Sequence, residues 1–393
     1  MRKMRNESPI IKVNHWISVF VFFVLCMYSF NYADQSKVLY NLDGIDGPYL
    51  FFQDSEISVY SVDAQNQIIH KNAIKTDSFR VIVPNESEDE FWVTLQDMHT
   101  ISSSTYPASG KIFTVSDIEG NFEVFVSLLQ SNRVIDKEFN WIFGDGYLVL
   151  VGDFVDRGEY VTQCLWLIYK LEQESKEAGG MVHFLLGNHE LMNLKGRIDY
   201  AQNKYVAVGQ KISGIADPEE AFRYLFSNNS VLGNWLRSKN TIEKIGNMVF
   251  VHAGLSPELL GEQLYIKCIN DSMRIYLGLQ NSEITTETGK LLFGRFGPFW
   301  FRGLVIDYKD YYTKTEESKL DEILAYYNVE TVIIGHTIRD SVVSTDYNGK
   351  VVRIDIHQPE ERGTGKAEAL LIEGNEFYRV NDLGERFLLK KER

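Results

Sequence analysis

Tyr147-Leu148-Val149-Leu150-Val151-Gly152-Asp153-Phe154-Val155-Asp156-Arg157-Gly158 passes within one residue from an almost wholly apolar run to a cluster of charge. Such a continuous run reads as a strand covered on both faces, because a strand with one wet face alternates instead. The same transition recurs along the chain. Val115 runs into Ser116-Asp117-Ile118-Glu119-Gly120-Asn121, and Leu186 into Gly187-Asn188-His189-Glu190. Val251 runs into His252-Ala253-Gly254, and Ile334 into Gly335-His336-Thr337. Helical patterns separate the first runs: Asn121 to Gln130 repeats apolar residues at Phe122, Phe125, Val126 and Leu129, and Tyr160 to Ala178 stops at Gly179-Gly180. Strands therefore fall at Ile112–Val115, Tyr147–Val151, Met181–Leu186, Met248–Val251 and Thr331–Ile334, and the chain after residue 110 is α/β.

Asp117 and Asp153 are 36 residues apart, and Asp153 and Asn188 are 35 apart. Each step matches one strand, helix and return strand, a unit of roughly 30 or more residues. Ligands in open α/β sheets bind beyond the carboxyl ends of the strands, so right-handed crossovers bring the five polar clusters to one crevice. Singly, each cluster has an ordinary reading. Asp117 with Glu119 is a solvated turn, Asn188 a turn residue, Asp156 with Arg157 a surface ion pair, and His252 and His336 core histidines. Together, Asp, Glu, Asn and His offer hard or borderline donors suited to Mn²⁺, Zn²⁺, Fe or Mg²⁺. Six such donors exceed the needs of one catalytic ion, and two ions sharing one carboxylate use them economically.

The motifs Gly152–Gly158, Gly187–Glu190, His252-Ala253-Gly254-Leu255-Ser256-Pro257 and Gly335-His336-Thr337 resemble those of calcineurin-like metallophosphoesterases. More narrowly, they resemble the phosphoprotein phosphatase family in its bacterial, Shewanella-like branch, over about Lys111 to Asp355 and in family order. The resemblance implies a central β-sandwich of mixed sheets flanked by helices. It implies that Asp117 binds a first metal, that Asp153 bridges two, and that Asn188, His252 and His336 complete the second site. His189 resembles the general acid that protonates the leaving alkoxide, oriented by Asp156. Arg157 and Arg302, the latter in Pro298-Phe299-Trp300-Phe301-Arg302-Gly303, look like the phosphate clamp, with Asn188 also on the substrate side. Direct attack by a hydroxide bridging the two ions follows, without a phosphoenzyme.

One position departs from the pattern. Where the family's first motif, Gly-Asp-x-His-Gly, carries histidine, this chain has Glu119. A carboxylate can hold the same ions at about 2.0–2.2 Å. The first site becomes Asp117, Glu119 and Asp153, and its extra negative charge favours harder ions, Mn²⁺ foremost and Mg²⁺, over zinc or iron.

The remainder is organised around this unit. Residues 1–33 read as a signal peptide or amino-terminal anchor. Arg2, Lys3, Arg5 and Lys12 precede the uncharged fourteen-residue run Ile17–Phe30, shorter than the roughly 20 residues of a spanning helix. The expectation is export to the periplasm or cell envelope, with membrane contact only through this segment if uncleaved. Residues 36–106 alternate in short runs broken by Asp43-Gly44 and Asp46-Gly47-Pro48, a β-rich module expected to pack or to bind a partner. The catalytic unit spans 110–380, with insertions at about 197–240 (helical near Glu219–Phe226 and Val231–Lys239) and 261–293. Asp346-Tyr347-Asn348-Gly349 and Glu373-Gly374-Asn375 mark two hairpins, and 381–393 is read as a tail. Cys26 belongs to the signal-like segment, and Cys164 and Cys268, one possible pair, are too few for a disulfide framework and read as buried thiols. His183 and His357 are read as structural, His357 the nearer to the site.

The net charge of −14 excludes a nucleic-acid backbone partner. Three functions remain: an exported phosphatase acting on phosphoserine, phosphothreonine or phosphotyrosine in proteins; a hydrolase of small phosphate esters or nucleotides; and a non-catalytic phosphate- or protein-binding module with a degenerate first metal site.

Overall fold

The computed structural model describes residues 39–53, 56–74, 78–96, 100–308 and 311–391; the signal-like segment lies outside them. Among the described residues no helix is long and apolar enough to cross a membrane.

Chain order begins with β1 (Asp46–Gln53), β2 (Glu56–Val62) and β3 (Ile68–Ile74), an antiparallel sheet, followed by the hairpin of β4 (Ser78–Ile82) and β5 (Glu90–Thr94). Next come β6 (Thr105–Tyr106), β7 (Lys111–Val115), helix α1 (Phe122–Ser131), β8 (Tyr147–Val151), helix α2 (Val161–Glu177), β9 (Met181–Leu185) and helix α3 (Asn188–Lys195). The remaining strands are β10 (Ile242–Ile245), β11 (Met248–Val251), β12 (Thr331–Ile334), β13 (Ser344–Asp346), β14 (Val351–Arg353), β15 (Glu368–Glu373), β16 (Glu376–Asn381) and β17 (Arg386–Lys391).

Two six-stranded sheets form the centre, ordered β13-β14-β12-β11-β10-β6 and β17-β16-β15-β7-β8-β9. Strands β7, β8 and β9 run parallel, as do β11, β12 and β14. Alternation along β8 shows why its run is continuous. Val149 and Val151 face the other sheet and pack with Phe250, Ile333 and Val352, while Leu148 and Leu150 face the helical layer. Both faces are dry, one under a sheet and the other under helices.

The described part of residues 36–106 packs against the catalytic unit: Trp166 of α2 donates to Pro48 O at 2.9 Å, Phe79 stacks edge-on against Trp166 at 4.8 Å, and β6 pairs parallel with β10. Three details depart from the sequence reading or add to it. The supposed tail 381–393 contains β17, an edge strand on β16. Residues 203–213 of the first insertion form a further helix beside Pro218–Leu225 and Val231–Arg237. Cys164 is buried but Cys268 is exposed, and both are free.

Behind the sandwich, buried Glu172 of α2 ties down the first insertion. Its Oε2 accepts from the Lys239 ammonium and the Trp235 indole, each at 2.7 Å, and Lys176 lies 3.4 Å from Oε1. Burial opposes ionisation of both partners and holds Lys239 below its usual value, but the three donors around Glu172 outweigh its own burial and lower its carboxyl from 4.5 to about 2. A carboxyl that titrates lower in the folded state contributes stability fully above about pH 4.5 and loses it as pH falls toward 2. Glu172→Ala is therefore expected to lower unfolding free energy by about 3–5 kcal/mol at neutral pH, since it strands a buried ammonium. In urea titrations the gap from wild type should narrow below pH 4.5; equal stability at pH 7 would show that the pair contributes nothing.

Candidate metal and phosphate site

The polar clusters meet at the carboxyl ends of β7, β8, β9, β11 and β12, around a cleft of about 970 Å³. Reaching it requires unusual backbone. Asp117, Glu119, Asp153, Asp156, Arg157 and His336 all have positive φ, between 50° and 71°. Non-glycine residues adopt this region at a cost of order 1–3 kcal/mol each and hold it only when the surroundings enforce it. Here the loops are cross-braced. The Asp117, Glu119 and Gly120 amides donate to Gly152, Asp153 and Phe154 carbonyls at 2.9–3.0 Å, and the Gly335 amide donates to His252 O at 2.8 Å. Two glycines permit the approach. A Cβ at Gly152 (φ +82°) would lie 2.6 Å from Gly187 Cα and 2.8 Å from His252 Nδ1, and one at Gly335 would collide with the Asp117 carboxylate.

Asp153, buried at the end of β8, is the hub. Its Oδ1 accepts the His189 amide at 2.8 Å and its Oδ2 lies 3.1 Å from His252 Nε2. Its loop is held by Glu190, whose carboxylate accepts the Asp153, Phe154 and Gly187 amides at 2.7–2.9 Å. Burial and the Asp153 charge push Glu190 up to about 7. Burial would also raise Asp153, but the imidazoles of His252 and His189 hold it well below the carboxylate range.

His252 Nδ1 donates to Val151 O at 2.8 Å, so Nε2 faces the cleft, 3.0 Å from Asn188 Oδ1. Burial disfavours the His252 cation, yet Asp153 lifts it to about 10. His336 goes the other way, held well below its usual value by burial, by His252 and by Arg302. Its buried Nε2 has no hydrogen-bond partner. A neutral imidazole with an orphaned nitrogen, donor atoms of Asp153, His252 and His336 within 4.8 Å of one another, and Asn188 oxygen alongside fit a divalent cation.

Asp117, Glu119 and Asp153, the carboxylates expected at the first metal, all line the cleft. Glu119 groups with Asp153 and His189, and its carboxylate is paired with the Arg157 guanidinium. Asp117 Oδ2 instead accepts the His336 amide at 3.1 Å, and burial raises its carboxyl to about 6.

His189 Nδ1 lies 2.7 Å from Asp156 Oδ2, and Asn193 fixes the other Asp156 oxygen at 2.7 Å. Burial lowers His189, but the Asp156 hydrogen bond and Asp153 outweigh it and the net shift is upward. Tyr200 stands edge-on to His189 at 5.0 Å and beneath Arg157 at 5.2 Å. Arg302 donates from Nη1 to His336 O at 2.7 Å and to Thr337 Oγ1 at 3.1 Å, reaching the cleft beside the histidines.

Sequence reasoning missed Asp355, a buried carboxylate lining the cleft and raised well above its usual range by burial and by Asp117. It also missed the positioning roles of Glu190 and Asn193. The signal for Asp355 was present, because Val351 to Ile354 runs into it as the other strands run into their clusters. His357 lines the cleft, whereas His183 is buried against Glu243 at 2.6 Å.

The model of the calcineurin-like phosphoesterases matches residues 110–340, and the chain belongs to that family. It is accordingly a phosphatase, with His and Asp residues positioned to bind metal. A solved cold-active protein-tyrosine phosphatase of a psychrophilic Shewanella superposes with a TM-score of 0.76, at 30% identity, covering 88% of this chain and all of that one. Shewanella-like protein phosphatase 2 of Arabidopsis thaliana is 24% identical over 69% of this chain and 77% of its own length. Shewanella-like protein phosphatase 1 of Plasmodium berghei is 29% identical over 59% of this chain and 62% of its own.

Because three carboxylates crowd the site, chelation should destabilise the fold. Apoprotein prepared with EDTA is expected to melt several degrees below protein given Mn²⁺, as a cation binding only the folded state adds about 2.7 kcal/mol at a hundredfold excess over Kd. Asp153→Asn should melt at one temperature with or without the ion. A wild type indifferent to EDTA and Mn²⁺ in a thermal-shift measurement would contradict the site.

Proposed function

We propose that the chain is an exported phosphatase that removes phosphate from phosphorylated side chains of proteins, phosphotyrosine first among them. The observation that carries this reading is the His189–Asp156 pair, its carboxylate fixed by Asn193, facing the same open cleft as two arginines. The tyrosine preference draws on the similar Shewanella protein, a protein-tyrosine phosphatase. Export rests on the amino-terminal sequence alone.

Asp156 accepts the Nδ1 proton of His189, which leaves Nε2 to donate a proton to the departing oxygen. Tyr200 limits rotation of the ring. Arg157 and Arg302 both line the cleft and bind phosphate oxygens through their guanidinium forks. Arg157 exchanges its Glu119 partner for the phosphate as substrate enters. Asp117, Glu119 and Asp153 would hold one divalent ion and Asp153, Asn188, His252 and His336 a second, with Mn²⁺ favoured, and the pair would polarise the phosphate and acidify water near neutral pH.

With Mn²⁺ the full chain is expected to hydrolyse p-nitrophenyl phosphate, and His189→Asn to lower kcat on a phosphotyrosyl peptide by roughly 10²–10⁴-fold. Protein inert with Mn²⁺, Zn²⁺, Fe²⁺ and Mg²⁺ would leave only a binding role. Elemental analysis after equilibration with mixed ions tests the ligand assignment: Glu119→His should shift bound metal toward zinc or iron, and unchanged content would remove Glu119 from the ligand set.

A further inference from the structure

Past Arg302 the cleft opens into a second depression of about 610 Å³, within the size range of ligand-recognition pockets. Helix α3 connects the two. Its first residues, Asn188 and His189, line the cleft, and its later residues, Leu191, Met192 and Lys195, line the depression. Arg295, Tyr308 and Tyr311 form the far side, with Trp300 and Arg302 on the ridge between.

The charge of this groove is opposite to that of the molecule. The chain carries a net −14, yet among the described residues no carboxylate lines the depression, whereas Lys195, Arg197, Arg295 and Arg302 do. Arg197 is engaged by Asp199 at 2.9 Å. Arg295 is exposed, rests on Phe296 and Tyr311 at 4.9 and 5.7 Å, and has no ion-pair partner among the described residues. Lys195 is buried against Asn281 Oδ1 at 2.6 Å and lies 5.1 Å from the Phe293 ring. Burial and the neighbouring Arg197 lower its ammonium to about 8 against the opposing pull of Glu283, so it stays mostly charged at neutral pH.

We propose that this groove binds acidic side chains flanking the phosphorylated residue, making the enzyme selective for phosphopeptides that carry Asp or Glu beside the phosphate. The inference rests on the phosphatase reading and adds the substrate class. Arg302 then serves both subsites, facing the phosphate on one side and the acidic flank on the other. Aromatic walls supply apolar contact for the peptide stems, and the shallow, wet setting makes the selectivity sensitive to salt.

The test compares p-nitrophenyl phosphate with three phosphotyrosyl peptides differing only in Glu, Ala or Lys flanks, using full-length protein loaded with Mn²⁺. The Glu peptide is expected to exceed the Ala peptide by roughly tenfold in kcat/KM, chiefly through KM, with the Lys peptide slowest and the spread shrinking at high salt. Arg295→Glu should erase or invert this order while leaving p-nitrophenyl phosphate turnover within about twofold, since exposed charges act mainly on association. Lys195→Met provides the second variant. Equal rates on all three peptides beside intact p-nitrophenyl phosphate turnover would overturn the groove assignment, as would a dinucleoside tetraphosphate surpassing every peptide. No turnover of any substrate would overturn the phosphatase reading instead. Fluorescence anisotropy of the same labelled peptides then judges the groove independently, and equal Kd values would end it.

Discussion

A fully buried carboxylate that remains ionised is the constraint around which this site is arranged. Asp153 stands at the end of an apolar strand, where isolation would neutralise it. It stays charged because His252 and the His189 amide meet its two oxygens and Glu190 holds its backbone. Those contacts come from the ends of β9 and β11, so satisfying one charge at the end of β8 ties the three strand ends together. A change at Asp153 therefore acts on the architecture of the cleft as well as on metal affinity.

The left-handed turns follow from the same requirement. Side chains of strands that simply continued in extended geometry would alternate to opposite faces of the sheet and not converge on one point. Positive φ at Asp117, Asp153 and His336 turns the chain sharply enough to aim the next side chain back over the sheet edge. Gly152 and Gly335 occur where a Cβ would occupy the space used by a ligand side chain. Strain is thus concentrated at the strand ends and resisted by the sandwich beneath, where Val149, Val151, Phe250 and Ile333 are fully buried.

What the sequence made legible was local. Strands at Tyr147–Val151, Met248–Val251 and Thr331–Ile334 have the limits read from the apolar-to-polar transitions, because both signals lie within ten residues. Two stacked sheets were not legible from periodicity, since a strand covered by helices and one covered by another sheet present the same apolar run. Strand β17 was hidden because Leu388 and Leu389 lie among Arg386, Lys390 and Lys391, the composition of an exposed edge. The Glu190 and Asn193 hydrogen bonds were hidden for another reason. Their roles exist only once distant segments meet, as with Asn193 on Asp156 across 37 positions of sequence.

Glu119 is best understood through the charge of the whole cleft. Seven carboxylates line it, Asp117, Glu119, Asp153 and Asp355 together with Glu123, Glu159 and Glu360, an excess of negative charge that divalent cations would offset. Within the chain, neighbours and burial offset part of that charge: Asp153 lifts His252 to about 10, Glu119 pairs with Arg157, and burial raises Asp117 and Asp355. A histidine at position 119 would remove one negative charge and leave Arg157 without that partner. Glutamate therefore couples two events that histidine would keep separate. A cation that took up the Glu119 carboxylate would draw it away from Arg157 and so favour the exchange by which the arginine turns to the phosphate.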